Sequence, residues 1–168
     1  MADIDFDRYI GMSTASGTVT VERATVSAFA ASVLDQNPVY HNAEKAKAAG
    51  FDNVPASPTF FFSAAKNWGM WEEDQPAKPA QPAEDPMGAV MGGLMAGGGL
   101  ILHGEQEFTY HRAVVAGEKL QLAGTVRDIY QKPTGDKIMT FMVIEDVFSD
   151  DDGEPVVTAV MNLIHRSA

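Results

Sequence analysis

The sequence predicts an α+β domain in which about five antiparallel strands pack on a buried helix. Three observations carry this reading. From Leu100 onward the apolar residues recur with a period of two, over 100–112, 119–131, 137–148 and 155–165, as half-buried strands require. The first half instead carries helical spacing, with Val26, Phe29, Ala30, Val33 and Leu34 on one stripe. Between the two halves, Phe60-Phe61-Phe62 opens a segment that is apolar nearly all round, so it reads as a helix to be buried inside the sheet.

In chain order, 18–21 reads as a short strand. The amphipathic helix follows and stops near Asp35, because Asn37-Pro38 disfavours helical geometry ahead of the proline. A second short helix is expected over 43–49, with Asn42 as its N-cap and Gly50 as its stop. Pro55 and Pro58 frame the next element, where Thr59 caps a helix that starts at Phe60 and runs towards Trp68 or Trp71. Residues 72–86 hold four prolines and several charges and read as a surface loop or flap. Residues 87–99, rich in glycine and methionine, have a weak helical signal. They read as a mobile lip over a pocket or as an ordinary irregular connection. Together 72–99 form a flexible insertion in one domain spanning 1–168. Thr134-Gly135-Asp136 and the segment 150–153 supply hairpin turns between the last three strands.

A chain of 168 residues suffices for one domain with a real core. It has no cysteine, which excludes disulfides, thiol nucleophiles and thiolate metal sites, and fits a reducing cytoplasm. The first eight residues carry three aspartates and no apolar run, so no secretory signal or membrane span is expected. A net charge of −11 argues against a nucleic-acid partner, and an anionic ligand would need a local basic patch.

Two constellations could carry chemistry. The first is Asp35-Gln36-Asn37-Pro38-Val39-Tyr40-His41, which sets a carboxylate, a carboxamide and an imidazole on one turn stiffened by proline. Adding water across a double bond conjugated to a thioester needs a base for the water and an acid for the α-carbon. Asp35 and His41 could share those roles, with Asn37 orienting the water. The same residues also serve as ordinary caps of helix ends and turns, with His41 a loop histidine. The second constellation is Leu102-His103-Gly104-Glu105-Gln106. If no bulge intervenes, His103, Glu105, Glu107 and His111 share one strand face, as a half-buried polar network or, less favoured for want of further ligands, a metal site. Gly104 signals close backbone approach or a bulge. No G-x-S-x-G, P-loop or G-x-G-x-x-G setting is present. His165 reads as structural.

Asn37-Pro38-Val39-Tyr40-His41, residues 46–51, Pro58-Thr59-Phe60, residues 102–106, Tyr110-His111-Arg112 and Ala116-Gly117-Glu118 together resemble the MaoC-like hydratase and dehydratase family. The resemblance covers most of the chain and lies in the order of these pieces. It implies the hot-dog fold, a five-stranded antiparallel sheet wrapped around a central helix, working as a pair of units in one or two chains. It implies R-specific hydration of a 2-enoyl thioester, or dehydration of a 3-hydroxyacyl thioester. Asp35, Asn37 and His41 would be catalytic, while Tyr40, Pro58, Thr59, Phe60, His103 and Gly104 would bind substrate. No cofactor is implied, since coenzyme A or an acyl carrier protein enters only as the thioester's carrier.

Within the family the chain looks more like the N-terminal half, whose partner half supplies the catalytic pair. The family's catalytic pattern is D-x-N-P-(aliphatic)-H. Here Tyr40 fills the histidine slot and His41 follows it, and Thr59 stands where the catalytic half has a glycine whose N–H polarises the carbonyl. The first reading is therefore an acyl-thioester hydratase or dehydratase, and the alternative is a non-catalytic substrate-binding subunit. A hot-dog thioesterase is disfavoured because 59–70 holds no carboxylate. Phe60, Phe61, Phe62, Trp68, Trp71 and 87–95 would line an acyl tunnel. Arg112, Lys119 and Arg127 would face an anionic carrier. A homodimer or a heterodimer with another hot-dog subunit is expected.

Overall fold

The computed structural model describes residues 4–62, 64–77 and 83–168. Five strands form one sheet: β1 (Ser13–Thr20), β2 (Leu100–Tyr110), β3 (Lys119–Thr134), β4 (Lys137–Ser149) and β5 (Pro155–Arg166). Their order is β1-β3-β4-β5-β2, and every neighbouring pair is antiparallel. The four long strands lie where the period of two placed them, joined by turns in which Gly135 and Gly153 take φ of 62° and 83°. β1 starts earlier than expected, because Ser13 to Gly17 pair with β3 despite their small, polar side chains.

Helices α1 (Arg23–Ser32), α2 (Ala43–Ala48), α3 (Ala64–Trp68) and α4 (Pro86–Met95) pack around this sheet. Asn42 caps α2 as expected, its carboxamide oxygen accepting the N–H groups of Glu44 and Lys45. The central helix is shorter than the sequence suggests. Phe60–Phe62 form a 3-10 turn, α3 follows, and Ser63 between them lies outside the described residues. Thr59 enters this turn through its backbone carbonyl, which accepts the Phe62 N–H at 3.0 Å.

The reading of 87–99 as an irregular lip is corrected. Most of it is α4, started by Asp85, whose carboxylate accepts the Met87 N–H, and by Pro86 in the first turn. Burial of Val90, Met91 and Leu94 holds this glycine-bearing helix in place. Of the flap expected over 72–86, residues 78–82 lie outside the described residues.

Two apolar clusters fill the inner face of the sheet. The first sets α1 and α3 against β3 and β4, through edge-to-face ring contacts linking Phe29, Phe60, Phe61 and Phe148 at 4.9–5.7 Å. The second sets α4 and Tyr9 against Val126, Ile129, Met142 and Ile144. Between them runs a polar seam. Gly124 and Asp146 are cross-strand partners, each flanked along its strand by one residue of either cluster, and Lys66 of α3 forms an ion pair with Asp146. Among the described residues, no helix is long and apolar enough to cross a membrane.

Candidate functional site

The turn that carries Asp35 is made by an unusual helix end. The Asp35 N–H bonds the Ala30 carbonyl and the Leu34 N–H bonds that of Ala31, with Leu34 at φ 62°. This is the pattern normally completed by glycine in the left-handed region, and a leucine there costs about 1–2 kcal/mol. So α1 stops before Asn37-Pro38 can act, and Val33 and Leu34, expected on the buried stripe, are 52% and 83% exposed. The other non-glycine residue with positive φ among the described residues is Thr59, at 71°. Each of the two positions stores local backbone strain beside a residue singled out in the sequence, Asp35 and Phe60.

Along the turn, the Asp35 carboxylate accepts the Asn37 N–H at 3.0 Å, and the Asn37 carboxamide oxygen accepts the Val39 N–H at 3.2 Å. Both are local turn bonds. His41 is tied at both ring nitrogens: Nε2 lies 3.0 Å from the Asp35 backbone carbonyl and Nδ1 lies 2.7 Å from Ser27 Oγ. Because a carbonyl only accepts, Nε2 carries the proton of that bond, and in the neutral ring Nδ1 then accepts from the Ser27 hydroxyl. The imidazole therefore holds the turn closed against α1.

The Thr59 N–H, the group expected to face a thioester carbonyl, donates to the Tyr110 hydroxyl at 3.2 Å. Tyr110 stacks on Phe108 with centroids 5.9 Å apart. Burial holds the Tyr110 phenol above its ordinary range, the Thr59 N–H opposing in part and Tyr40 adding to the shift. Burial, then the Asp35 carboxylate, likewise raises Tyr40. Asp35, Tyr40, Tyr110 and Thr59 thus share one electrostatic neighbourhood. Sequence reasoning missed Ser27 and left Tyr110 without a role, since both act through contacts distant in sequence.

The fold favours the neutral phenols here, so their contribution to stability is present below the ordinary tyrosine value of about 10 and is lost as pH rises through the raised value. Phenolate absorbance is expected to show a late-titrating phase. Tyr110→Phe should remove part of its amplitude, and an unchanged late phase would contradict the assignment.

The bulge that Gly104 signals does intervene, between His103 and Gln106, so His103 does not share a face with Glu105 and Glu107. His103 pairs with Leu163 and Gln106 with Met161, so His103 joins Gln106, Phe108 and Tyr110 on the inner face, against the ring of Phe62 at 4.9 Å. Glu105 is turned away and accepts from the Asn162 carboxamide. Gly104 lies at this bulge, where a Cβ would collide with Ile164.

Pro58 is exposed beside Thr59, whereas Phe60 is fully buried in the core, with its ring packed edge-to-face on Phe29 and Phe61. The expected tunnel lining is likewise dispersed. Phe61 is core, Met91 belongs to the α4 cluster, and Trp68 and Trp71 line an open cleft of about 390 Å³ with Glu22, Thr25, Asn67 and Met70. Arg112, Lys119 and Arg127, expected to face an anionic carrier, are engaged with Glu118 and Asp150, with Asp74, and with Glu145. The Lys119 ammonium, by its hydrogen bond, holds Asp74 below the usual carboxylate range. His165 is buried and structural, its Nε2 donating to the Gly98 carbonyl at 2.9 Å.

Comparison with known proteins agrees with this architecture. The family described as the FAS1-like dehydratase domain region matches residues 8–159. A UPF0336 protein of Streptomyces coelicolor is 35% identical over 148 residues, which cover 88% of this chain and 85% of that protein. In fold, the chain is similar to one of the HadBC (3R-hydroxyacyl-ACP dehydratase) complex of Mycobacterium tuberculosis. The TM-score is 0.66 at 22% identity, covering 93% of this chain and 96% of that one. It is also similar to a MaoC-like dehydratase, with a TM-score of 0.69 at 21% identity, covering 97% of this chain but 44% of that one. A five-stranded sheet around a short central helix, matched over nearly its whole length in this way, places the chain in the FAS1-like dehydratase domain family, with the hot-dog fold of the MaoC-like dehydratases.

Proposed function

We propose that this chain is the acyl-thioester-binding member of a hydratase/dehydratase pair, and that a partner hot-dog subunit contributes the acid–base groups. The observation that carries this reading is His41. A general base needs a free nitrogen within reach of the water it deprotonates, and both ring nitrogens of His41 are bound inside the chain. The Thr59 N–H is occupied as well, by Tyr110. The balance between the two readings of the sequence therefore moves towards the binding subunit.

The edge of the sheet supports a partner. Among the described residues β2 has no neighbour on its outer side, and Ile101, Leu102 and Tyr110 along it are more than 40% exposed. An uncovered apolar edge strand is an invitation to pairing. The similar fold in the HadBC complex belongs to a multi-protein dehydratase.

The test is turnover of crotonyl-CoA and longer 2-enoyl-CoA thioesters by the purified chain, followed by loss of the conjugated enoyl absorbance. No turnover is expected from the chain alone. Turnover should appear when a hot-dog subunit carrying an intact D-x-N-P-x-H run is added. Turnover by the chain alone, lost in both Asp35→Asn and His41→Ala, would overturn the proposal in favour of a self-sufficient enzyme.

A further inference from the structure

Along β4 the outer face of the sheet is apolar where a solvated face should be polar, with Asp128 and Asn162 as the polar neighbours of Val143. An antiparallel sheet packed on one side alternates apolar-in with polar-out. On β4 the inward Met142, Ile144 and Phe148 are buried, yet the outward Met139, Phe141, Val143 and Val147 are apolar too and only partly covered. Cross-strand neighbours widen this belt. Tyr130 stacks on Phe141 at 4.8 Å with the rings 8° apart, and Ile164 lies on the other side. Both core clusters, with α3 and α4, belong to the inner face, so the described helices leave this side uncovered.

Charge is sorted along the strands of the same face. Lys132, Met139 and Arg166 form one cross-strand row, and Lys137 shares their face two residues from Met139. Among the described residues none of these three cations has a carboxylate partner, and the Lys132 ammonium lies over the Tyr130 and Phe141 rings at 5.1 and 5.3 Å. Further along, Glu145, Val160 and Glu107 form a second row, with Asp128 and Glu105 beside it and Arg127 paired to Glu145. The two rows stand about 20 Å apart, six residues at ~3.3 Å each.

We propose that this face is an isologous interface between two copies of the chain. The two sheets stack with their strands reversed, about a two-fold axis crossing β4 between Phe141 and Val143. In such an interface residue i meets j while j meets i. An axis midway between the two rows sets each basic row against the acidic row of the second copy. Arg166 then faces the gap between Glu107 and Glu145 of the second copy, and Lys132 lies near its Asp128. The residues of this face come from the sheet strands alone, not from the walls of the concave pocket a small anion would need. Stacking also leaves the β2 edge free for a hot-dog partner, so the two contacts are independent.

Light scattering and sedimentation of the full chain at low and high salt provide the first test. The double variant Lys132→Glu/Arg166→Glu should raise the dissociation constant of the stacked pair by roughly a hundredfold, because like charges set across an interface repel strongly. Adding Glu107→Lys and Asp128→Lys should restore association. The chain has no cysteine, so Val143→Cys next to the axis should give a covalent dimer with a short bismaleimide, whereas a cysteine at exposed Glu72 should not. A particle mass unaffected by the charge reversals, or cross-linking at Val143→Cys no greater than at Glu72→Cys, would overturn the proposal.

Discussion

Lys66→Met is expected to lower the free energy of unfolding by roughly 2–3 kcal/mol, less than the ~3–5 kcal/mol of a fully buried broken pair. Lys66 projects from α3 onto Asp146 of β4, in the seam between the two apolar clusters. The Asp146 side chain is 11% exposed, whereas Lys66 keeps 32% of its side chain in solvent, so water screens part of the loss. Removing the ammonium strands a carboxylate whose second oxygen, Oδ1, already has no hydrogen-bond partner among the described residues. The double variant Lys66→Met/Asp146→Leu should recover most of the loss, because replacing both partners with apolar groups removes the desolvation penalty along with the attraction. Urea denaturation gives all three values, and an unchanged slope would show that the native state, not the denatured ensemble, has changed. A loss below about 0.5 kcal/mol would mean that the pair behaves as an exposed one and does not anchor α3.

That seam also shows why the sequence speaks clearly in some places and not in others. The strands β2 to β5 were legible because a period of two survives any detail of packing, and because glycines in the turns mark their ends. The same alternation places Asp146 on the inner face, between Ile144 and Phe148, but nothing local says that Lys66, 80 residues away, will meet it. α4 was hidden by its glycines, although Asp85-Pro86 is a good helix start. The end of α1 was misplaced because a leucine does there what glycine usually does. At the candidate site, Gly104 announced a bulge, but only the register shows that the bulge moves His103 to the inner face and sends Glu105 away from it. The turn from Asp35 to His41 was recognised as a unit. Its meaning changed once Ser27 of α1 was found on the imidazole, a contact no motif encodes.

His41→Ala is therefore expected to act on stability and to leave the chemistry of a reconstituted pair nearly unchanged. The ring makes two hydrogen bonds, to Ser27 and to the Asp35 carbonyl, worth about 1 kcal/mol each. Together they correspond to a fall in Tm of roughly 4–8 °C for a chain of this size. Ser27→Ala should reproduce about half of that fall, since it removes one of the two bonds. The double variant should lose no more than His41→Ala alone, because both changes break the same contact. A catalytic histidine behaves otherwise: its removal lowers turnover by about 10²–10⁴-fold with little change in Tm, and Ser27→Ala leaves a base still able to act. Measuring Tm beside kcat for these three variants, in the presence of the partner subunit, separates the two roles. A collapse of kcat in His41→Ala at unchanged Tm would return the imidazole to the chemistry. A lowered Tm with kcat intact would make the turn at Asp35 a wall of the acyl-binding surface, held in place from α1.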